Sequence, residues 1–264
     1  NSINWGRLVP QIVYYFAAYA QLLKAGQIAL GDAVDFCVPT GNFGDILAGY
    51  YAKQMGLPVG KLVCASNENN VLTDFLTTGT YTARRAFYKT TSPSMDILVS
   101  SNLERLLYHV TGSDTEVASL MKQLNETGSY TVRPETLAAI QESFACGWSS
   151  EAQVAEEIRA RYEQDHYLCD THTAVAFHVA AQHKRDGVPM VVLSTASPFK
   201  FPRSVLEALG HAAPANDFEA MQQLEEATGC TAPASLSALR QKAERFHTVI
   251  DPEQIAQVAL RYQA

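Results

Sequence analysis

The 264-residue sequence has little positive charge and no long apolar run. It carries 20 Lys and Arg against 27 Asp and Glu, which gives a net charge of −7 and a pI near 5.5. No basic face is expected that would meet phosphates of nucleic acid or of an anionic membrane, so neither is expected as a partner. No apolar run reaches the length of a membrane span, and no signal peptide is visible. We therefore expect a cytoplasmic globular protein.

Cysteine and histidine are too few and too scattered for a disulfide framework or a metal site. The five cysteines are odd in number and include no C-x-x-C pair. Cys37, Cys64 and Cys169 lie in apolar surroundings, which predicts buried free thiols in a reducing compartment. The seven histidines include no pair at helical i, i+4 spacing. We expect no metal.

Neither of the two common phosphate-loop motifs, G-x-x-x-x-G-K-S/T and G-x-G-x-x-G, is present in the sequence. A glycine turn nevertheless lies between a predicted strand and a predicted helix, which is where a phosphate loop is usually found. An apolar run from Val34 to Val38 ends at Pro39, and Gly41 and Gly44 then open a segment with helical periodicity. A strand, a glycine turn and a helix N-terminus together present main-chain N–H groups and the positive end of a helix dipole to an anion. The spacing by itself leaves open whether this loop binds a phosphate or only forms a tight turn.

The hydrophobic pattern along the chain predicts an α/β fold. Apolar runs predict strands over Val34–Val38, Leu62–Ser66 and Pro189–Ser194. A strand, helix, strand order with short turns is a βαβ unit, which requires a parallel sheet. Capping signals and helical periodicity predict helices over Leu8–Leu23, Asp45–Met55, Leu103–Val110, Thr115–Thr127, Pro134–Cys146, Ser149–Asp165, Phe218–Thr228, Leu236–Phe246 and Pro252–Tyr262.

Several sequence blocks, in one order, resemble the threonine synthases, which are pyridoxal-phosphate (PLP) enzymes of the tryptophan-synthase-β fold type. The blocks are Asn1-Ser-Ile-Asn-Trp-Gly-Arg7, Val38-Pro-Thr-Gly-Asn-Phe-Gly-Asp45, Lys61-Leu-Val-Cys-Ala-Ser-Asn67, Asp170-Thr-His-Thr-Ala-Val-Ala176 and Leu193-Ser-Thr-Ala-Ser-Pro-Phe-Lys-Phe-Pro202. The resemblance implies a three-layer parallel-sheet domain of PLP fold type II. It would comprise a cofactor-binding part over 1–213, with a helical insertion at about 115–165, and a C-terminal helical wrap over 214–264.

The resemblance also assigns the residues that would bind the cofactor. Gly41, Asn42, Phe43 and Gly44 match the cofactor-phosphate loop, which binds through main-chain N–H groups. Asp45 opens the helix behind that loop, and we expect its carboxylate to cap the helix, because it would repel a phosphate.

A second cofactor contact is expected at the end of the last strand. Thr195 matches a threonine whose hydroxyl meets the pyridine nitrogen of the cofactor. The family usually carries His-Pro-Ala-Lys-Phe where this chain has Ser197-Pro-Phe-Lys-Phe201. Ser197 and the bulky Phe199 therefore indicate a change in pocket shape or substrate preference.

Other polar residues in the matching blocks have structural or substrate interpretations. Asn1, Ser2, Asn4 and Arg7 are candidates for substrate binding, with Arg7 suited to a phosphate. Asp170 or Thr171 is expected to cap a helix, and His172 is the weaker candidate for a catalytic role. The segment 67–70 is expected to be a solvated loop.

One residue of the family's reaction is missing from these 264 positions. Such an enzyme holds PLP on a lysine in a Ser-x-Lys setting that precedes the Asn1 block, and no lysine here has that setting. The resemblance thus implies the C-terminal part of an enzyme that converts O-phospho-L-homoserine and water to L-threonine and phosphate, with the other half as a partner. A related lyase that forms 2-oxobutyrate, and a non-catalytic phosphate-ligand module, remain as alternatives.

Overall fold

The computed structural model describes residues 4–245 and 247–261, and six strands are found in that part of the chain. They are β1 (Val34–Pro39), β2 (Val59–Ser66), β3 (Thr80–Thr82), β4 (Ser129–Thr131), β5 (Phe144–Trp148) and β6 (Met190–Val192). Four of them form a parallel sheet in the order β5-β2-β1-β6, while β3 and β4 form a small antiparallel pair.

The helices are mostly bounded by the capping residues that the sequence offers. They are α1 (Trp5–Leu8), α2 (Ile12–Lys24), α3 (Gly44–Gln54), α4 (Val71–Thr78), α5 (Leu103–Thr111), α6 (Asp114–Thr127), α7 (Pro134–Ser143), α8 (Glu151–Asp165), α9 (Thr171–His183), α10 (Pro202–Ala208), α11 (Asp217–Thr228), α12 (Ala234–Ser237) and α13 (Ile255–Arg261). Ser150 and Gln153 form a capping box at the start of α8. Gly79 and Gly128 end α4 and α6 in the left-handed conformation.

Helices cover both faces of the parallel sheet, which gives the three-layer α/β architecture expected from the sequence. Phe36 and Val38 of β1 pack into the core formed with α2, α3 and α4, whereas Cys37 packs into the core formed with α8, α9 and α10. Successive strand residues point to opposite faces, so a strand covered on both sides is apolar at nearly every position. The prediction of fold class is confirmed.

The order of the strands places a crevice between β1 and β6. From β1 the chain crosses through α3 to β2 on one side, whereas β6 lies against β1 on the other side. In open α/β sheets, ligands bind outside the carboxyl ends of the strands where the strand order reverses. The loops that follow β1 and β6 meet at such a point.

The segment 134–148 differs from its predicted helix. The helix ends at Ser143, and Phe144 to Trp148 form strand β5, which pairs with β2 in the register Cys64 to Cys146. Helical periodicity continues through this stretch, but pairing with an open sheet edge determines its structure. The stretch predicted as a helical insertion, about 115–165, therefore also supplies β4 and an edge strand of the central sheet. The strand predicted over Pro189–Ser194 is shorter, at Met190–Val192.

The C-terminal region contains less regular helix than predicted. Helix α11 packs against the α8–α10 side of the sheet through Ala220 and Leu224. The predicted helix Leu236–Phe246 is wrong: α12 continues only as a 3₁₀ turn over Ala238–Gln241, and residues 242–245 are irregular. Phe246 lies outside the described residues. This stretch has almost no buried side chain, and a short helix without an apolar contact is marginal in water.

The cysteines are free thiols, and three of them are fully buried as predicted: Cys37, Cys64 and Cys169. Burial raises the pKa of the Cys169 thiol to about 12. None of the described helices is long and apolar enough to cross a membrane.

Candidate active site

The crevice between β1 and β6 opens into a cleft of about 610 Å³. Its walls come from the loop after β1, the loop after β6, the start of α2, a turn at Pro93–Met95 and the start of α9. Besides the residues discussed below, Leu8, Gln11, Tyr14, Pro39, Thr40, Ile46, Leu193 and Ala196 line it. The cleft therefore brings together segments that lie far apart in the sequence.

The loop after β1 offers unpaired main-chain N–H groups to this cleft. Within the described residues, no N–H group from Gly41 to Ile46 has a hydrogen-bond acceptor. Phe43 adopts the left-handed conformation (φ 61°) and its ring is buried, so the chain turns sharply before α3 begins at Gly44. A non-glycine residue at positive φ is uncommon, and such strained residues cluster at functional sites. The geometry is that of an anion-binding loop at a helix N-terminus.

The carbonyl groups of the same loop are bound on its other side. Ser100 donates its hydroxyl to the Gly41 carbonyl at 2.9 Å. Asn102 donates its main-chain N–H (3.2 Å) and its amide (2.9 Å) to the Asn42 carbonyl. Because both carbonyls are held by residues 100–102, the loop is fixed with its N–H groups left over for a ligand.

Gly41 is required by close approach. A Cβ atom at Gly41 would lie 3.0 Å from the Ser94 carbonyl oxygen and 3.1 Å from the Met95 Cα. Both neighbours are main chain and cannot rotate away. At Gly44 a Cβ atom would meet only the Asn102 and Gln11 side chains, at 3.5 and 3.8 Å, which are ordinary contact distances. The two loop glycines therefore have different roles.

Asp45 does not cap α3, so that expectation is wrong. Its side chain makes no capping hydrogen bond; instead Tyr15 donates its hydroxyl to the Asp45 carbonyl at 2.8 Å and, more weakly, to the carboxylate at 3.4 Å. Burial raises the pKa of Asp45 to about 6, although the Tyr15 hydroxyl opposes this shift. Burial and the nearby Asp45 raise the pKa of Tyr15. The Asp45 carboxylate therefore lies beside the loop, and it becomes protonated and neutral under mildly acidic conditions.

Thr195 lines the same cleft as the glycine loop, in the segment that follows β6. Its side chain is exposed in the cleft wall, next to Ser194 and Ala196. Behind it, the Ser194 hydroxyl accepts from Tyr167 at 3.2 Å and from Thr173 at 3.4 Å. This hydrogen bonding to helix α9 and its preceding loop fixes the position of the strand end.

The start of α9 combines the predicted cap with a cleft residue. Asp170 accepts hydrogen bonds from the main-chain N–H groups of His172 (2.8 Å) and Thr173 (3.4 Å), which confirms the capping prediction. His172 lines the cleft although only 3% of its surface is exposed. Its ring packs on Phe201 at a centroid distance of 4.9 Å.

The candidate substrate residues separate into three groups. Arg7 lines the cleft with an exposed side chain. Asn4 accepts the Gly6 N–H as the cap of α1 and is not among the cleft-lining residues. Asn1 and Ser2 lie outside the described residues. A second cation, Lys200, also lines the cleft.

The sequence pattern did not predict the turn over Pro93–Met95, in which Ser94 and Met95 line the cleft. A related expectation was wrong, since the loop after β2 is not solvated: Asn67 and Asn69 are buried. Both donate to one carboxylate oxygen of Asp96, at 2.8 and 3.0 Å, and so fix the end of that turn. A Ser-Pro-Ser-Met-Asp run is a recognisable turn signal, but only the fold shows what the turn contacts.

Phe199 does not alter the cleft in the expected way. It is buried in the core on the α9 side of the sheet and is not among the residues lining the cleft. Ser197 accepts the Phe199 N–H at 3.3 Å as the cap of a 3₁₀ turn, and it does not line the cleft either. These two departures from the family pattern concern packing behind the cleft wall.

Comparison with known proteins finds that this chain is similar to one enzyme family. Residues 173–259 match the family model described as "Threonine synthase, C-terminal". Threonine synthase-like 1 of Homo sapiens is 44% identical over 211 residues, covering 79% of this chain and 28% of that protein. Threonine synthase of Methylobacillus glycogenes is 42% identical over 216 residues, covering 80% of this chain and 45% of that protein. The crystal structure of PLP-bound threonine synthase from Brucella melitensis superimposes with a TM-score of 0.85 at 41% identity, covering 99% of this chain and 52% of that one.

The fold and cleft define the chain as PLP fold type II, the α/β architecture of its structural neighbours. Within that class, its sequence is similar to the C-terminal portion of the threonine synthases, as the sequence blocks indicated. The chain spans about half the length of the threonine synthases that it matches, and less of the threonine synthase-like 1 proteins.

Proposed function

We propose that this chain forms the cofactor-phosphate side of the active site of a threonine synthase, a PLP-dependent carbon–oxygen lyase acting on phosphates. The reaction converts O-phospho-L-homoserine and water to L-threonine and phosphate, the last step of threonine biosynthesis. The observation that carries the proposal is the row of unpaired N–H groups over Gly41–Ile46 at the β1/β6 crevice. We place the protein in the cytoplasm.

The residues of the cleft fit pyridoxal phosphate. A phosphate ester requires several hydrogen-bond donors, and the loop of Gly41, Asn42, Phe43 and Gly44 supplies them from the main chain. When bound, the cofactor supplies an electron sink that delocalises negative charge developing at the substrate's α-carbon and then its β-carbon. Asp45, with its raised pKa, sets a pH limit on phosphate binding, because its anionic form repels the ligand.

Thr195 lines the cleft and is the candidate partner of the pyridine nitrogen. A hydroxyl group is neutral, so it leaves the ring less positive than an aspartate would. Weaker electron withdrawal suits a reaction in which protons move at adjacent carbons and a keto acid must not be released early. The hydrogen bonds at Ser194 hold this segment in place.

Arg7 and Lys200 are the candidates for the substrate phosphate, since both line the same cleft. A guanidinium group matches phosphate geometry with two parallel hydrogen bonds, and an ammonium group adds a point charge. The Lys200 ammonium lies 5.5 Å from the centre of the Phe201 ring, a contact that orients it. Binding of O-phospho-L-homoserine between these cations would orient its leaving phosphate. Asn1 and Ser2 remain candidates next to Arg7.

The Schiff-base lysine is expected from sequence outside these 264 residues. Among the lysines of the described chain, Lys200 alone lines the cleft, and it lies in a Ser-x-x-Lys rather than a Ser-x-Lys setting. The relatives contain about as much sequence again. We therefore propose that the catalytic lysine belongs to a part of the protein equivalent to the other half of those relatives.

Product analysis of the protein expressed from its complete gene tests the proposal. PLP and O-phospho-L-homoserine are supplied, and phosphate, threonine and 2-oxobutyrate are measured. Release of phosphate and threonine in equal amounts would support threonine synthase. Phosphate with 2-oxobutyrate would identify a phospholyase instead, and absence of both turnover and cofactor absorbance would refute the proposal.

Comparing the activity of two variants tests whether the reaction takes place in this cleft. Thr195→Val removes the hydroxyl group with little change in shape, and we expect at least a tenfold loss of kcat, the usual scale for a positioned polar group at the reacting centre. Thr228→Val is the matched control, because that hydroxyl lies on α11 and bonds the Leu224 carbonyl. Equal activity of the two variants would argue against Thr195 as the ring partner.

A further inference from the structure

His172 is a buried residue of the cleft that the proposed chemistry does not use. Its ring is placed between a carboxylate and a main-chain N–H group: Nδ1 lies 3.0 Å from an Asp170 oxygen, and Nε2 accepts the Ser94 N–H at 3.2 Å. A main-chain N–H can only donate, so Nε2 must be unprotonated and Nδ1 must carry the proton. Two neighbours therefore fix both the orientation and the tautomer of the imidazole.

The other end of this contact is the turn that packs on the glycine loop. The Ser94 carbonyl and the Met95 Cα lie within 3.0 and 3.1 Å of the position that a Cβ of Gly41 would occupy. Asp96, two residues on, is held by Asn67 and Asn69. The hydrogen bond from Ser94 to His172 thus fixes the Pro93–Met95 turn at a second point, in addition to the hydrogen bonds at Asp96.

We propose that His172 is a positioning residue that holds the Pro93–Met95 turn against Gly41, and so keeps the anion-binding loop in its binding geometry. Asp170 acts one step further back, because it orients the imidazole while it caps α9. The loop is then fixed on two sides, by Ser100 and Asn102 at its carbonyl groups and by this turn at Gly41. The part of the inference that concerns PLP rests on the proposed function.

Two substitutions at this position separate the hydrogen bond from the volume of the ring. In His172→Gln, the side-chain oxygen can reach the Ser94 N–H as Nε2 does, whereas in His172→Asn the shorter side chain reaches only toward Asp170. Both variants remove the ring from Phe201, so the loss of that ring contact is common to them. His178→Gln is the control, because His178 lies on the same helix, is partly buried and does not line the cleft.

The test uses the protein expressed from its complete gene, first without PLP. Hydrogen exchange is followed by mass spectrometry in peptides that contain the Pro93–Met95 turn. We expect exchange in His172→Asn to be roughly fivefold faster, equivalent to about 1 kcal/mol for one hydrogen bond, and exchange in His172→Gln to stay near wild type. Unchanged exchange in His172→Asn, or equal acceleration in both variants, would overturn the inference.

Titration of the same proteins with PLP, followed by absorbance, gives the second measurement. We expect the Kd to be raised several-fold in His172→Asn and largely restored in His172→Gln, with His178→Gln unchanged. Equal Kd values in wild type and His172→Asn would show that the turn does not set the loop geometry, and would overturn the inference. If wild type itself does not bind PLP, the proposed function fails, while the exchange experiment still decides whether His172 holds the turn.

Discussion

Replacing Gly41 by alanine is the sharpest test of the loop geometry. The new methyl group would meet two main-chain atoms at 3.0 and 3.1 Å, which is tighter than nine in ten Cβ contacts in proteins. Relief requires either the Pro93–Met95 turn or the loop to move by a few tenths of an ångström. The turn is held by His172 and Asp96, and the loop by Ser100. Movement on either side therefore strains a hydrogen bond.

The expected loss of stability follows from overpacking at a site that cannot relax. Forcing a methyl group into a well-packed region costs about 1–3 kcal/mol. For a domain of this size, that corresponds to a fall in Tm of roughly 2–12 °C. The protein expressed from its complete gene should show this fall without PLP, by calorimetry or circular dichroism. PLP should also bind at least tenfold more weakly, because the N–H groups of the loop shift together with Gly41.

Gly44→Ala is the matched control in the same loop. Its methyl group would meet only side chains at 3.5 and 3.8 Å, and its backbone is already helical at the first position of α3. Replacing glycine by alanine where the backbone conformation permits it adds about 0.4–1 kcal/mol of stability. We expect a Tm equal to or slightly above that of wild type. If Gly41→Ala has the Tm of wild type, or if Gly44→Ala loses as much as Gly41→Ala, the close-approach explanation is refuted.

Three further substitutions test individual side chains. Asp45→Asn should raise the free energy of unfolding by about 1–2 kcal/mol more at pH 8 than at pH 5, because a carboxyl whose pKa is raised to about 6 destabilises the fold when it is ionised. This penalty fades as the pH falls from 6 towards 4, and equal gains at both pH values would contradict the prediction. Phe199→Ala should lower the free energy of unfolding by about 3–5 kcal/mol, because the Phe199 ring is buried. The ratio of threonine to 2-oxobutyrate should not change, because the ring does not line the cleft, and a changed ratio would show that Phe199 shapes the site. Arg7→Gln should raise the KM for O-phospho-L-homoserine about tenfold with little change in kcat, as expected for loss of a charged hydrogen bond to the substrate. An unchanged KM would show that Arg7 does not bind the substrate.

The sequence by itself determined the fold class, the central strands and the position of the glycine loop after β1. These features depend on local chemistry. An unbroken apolar run from Val34 to Val38 indicates a strand buried on both faces, and the two glycines after Pro39 indicate a turn into a helix. The cap at Asp170 depends on residues only two or three positions apart, so the sequence predicts it.

The tertiary structure decided which segments meet and how strand β5 forms. Residues 144–148 have no local signal that outweighs the preceding helical pattern, and they become a strand because the edge of β2 offers hydrogen bonds to them. Asn67 is buried for a similar reason, since Asp96 and Ser92, far along the chain, satisfy its amide group. The functions of such residues depend on distances between segments, and spacing along the sequence does not contain those distances. The contact between His172 and Ser94 spans 78 positions, and folding around the sheet is what brings the two residues together.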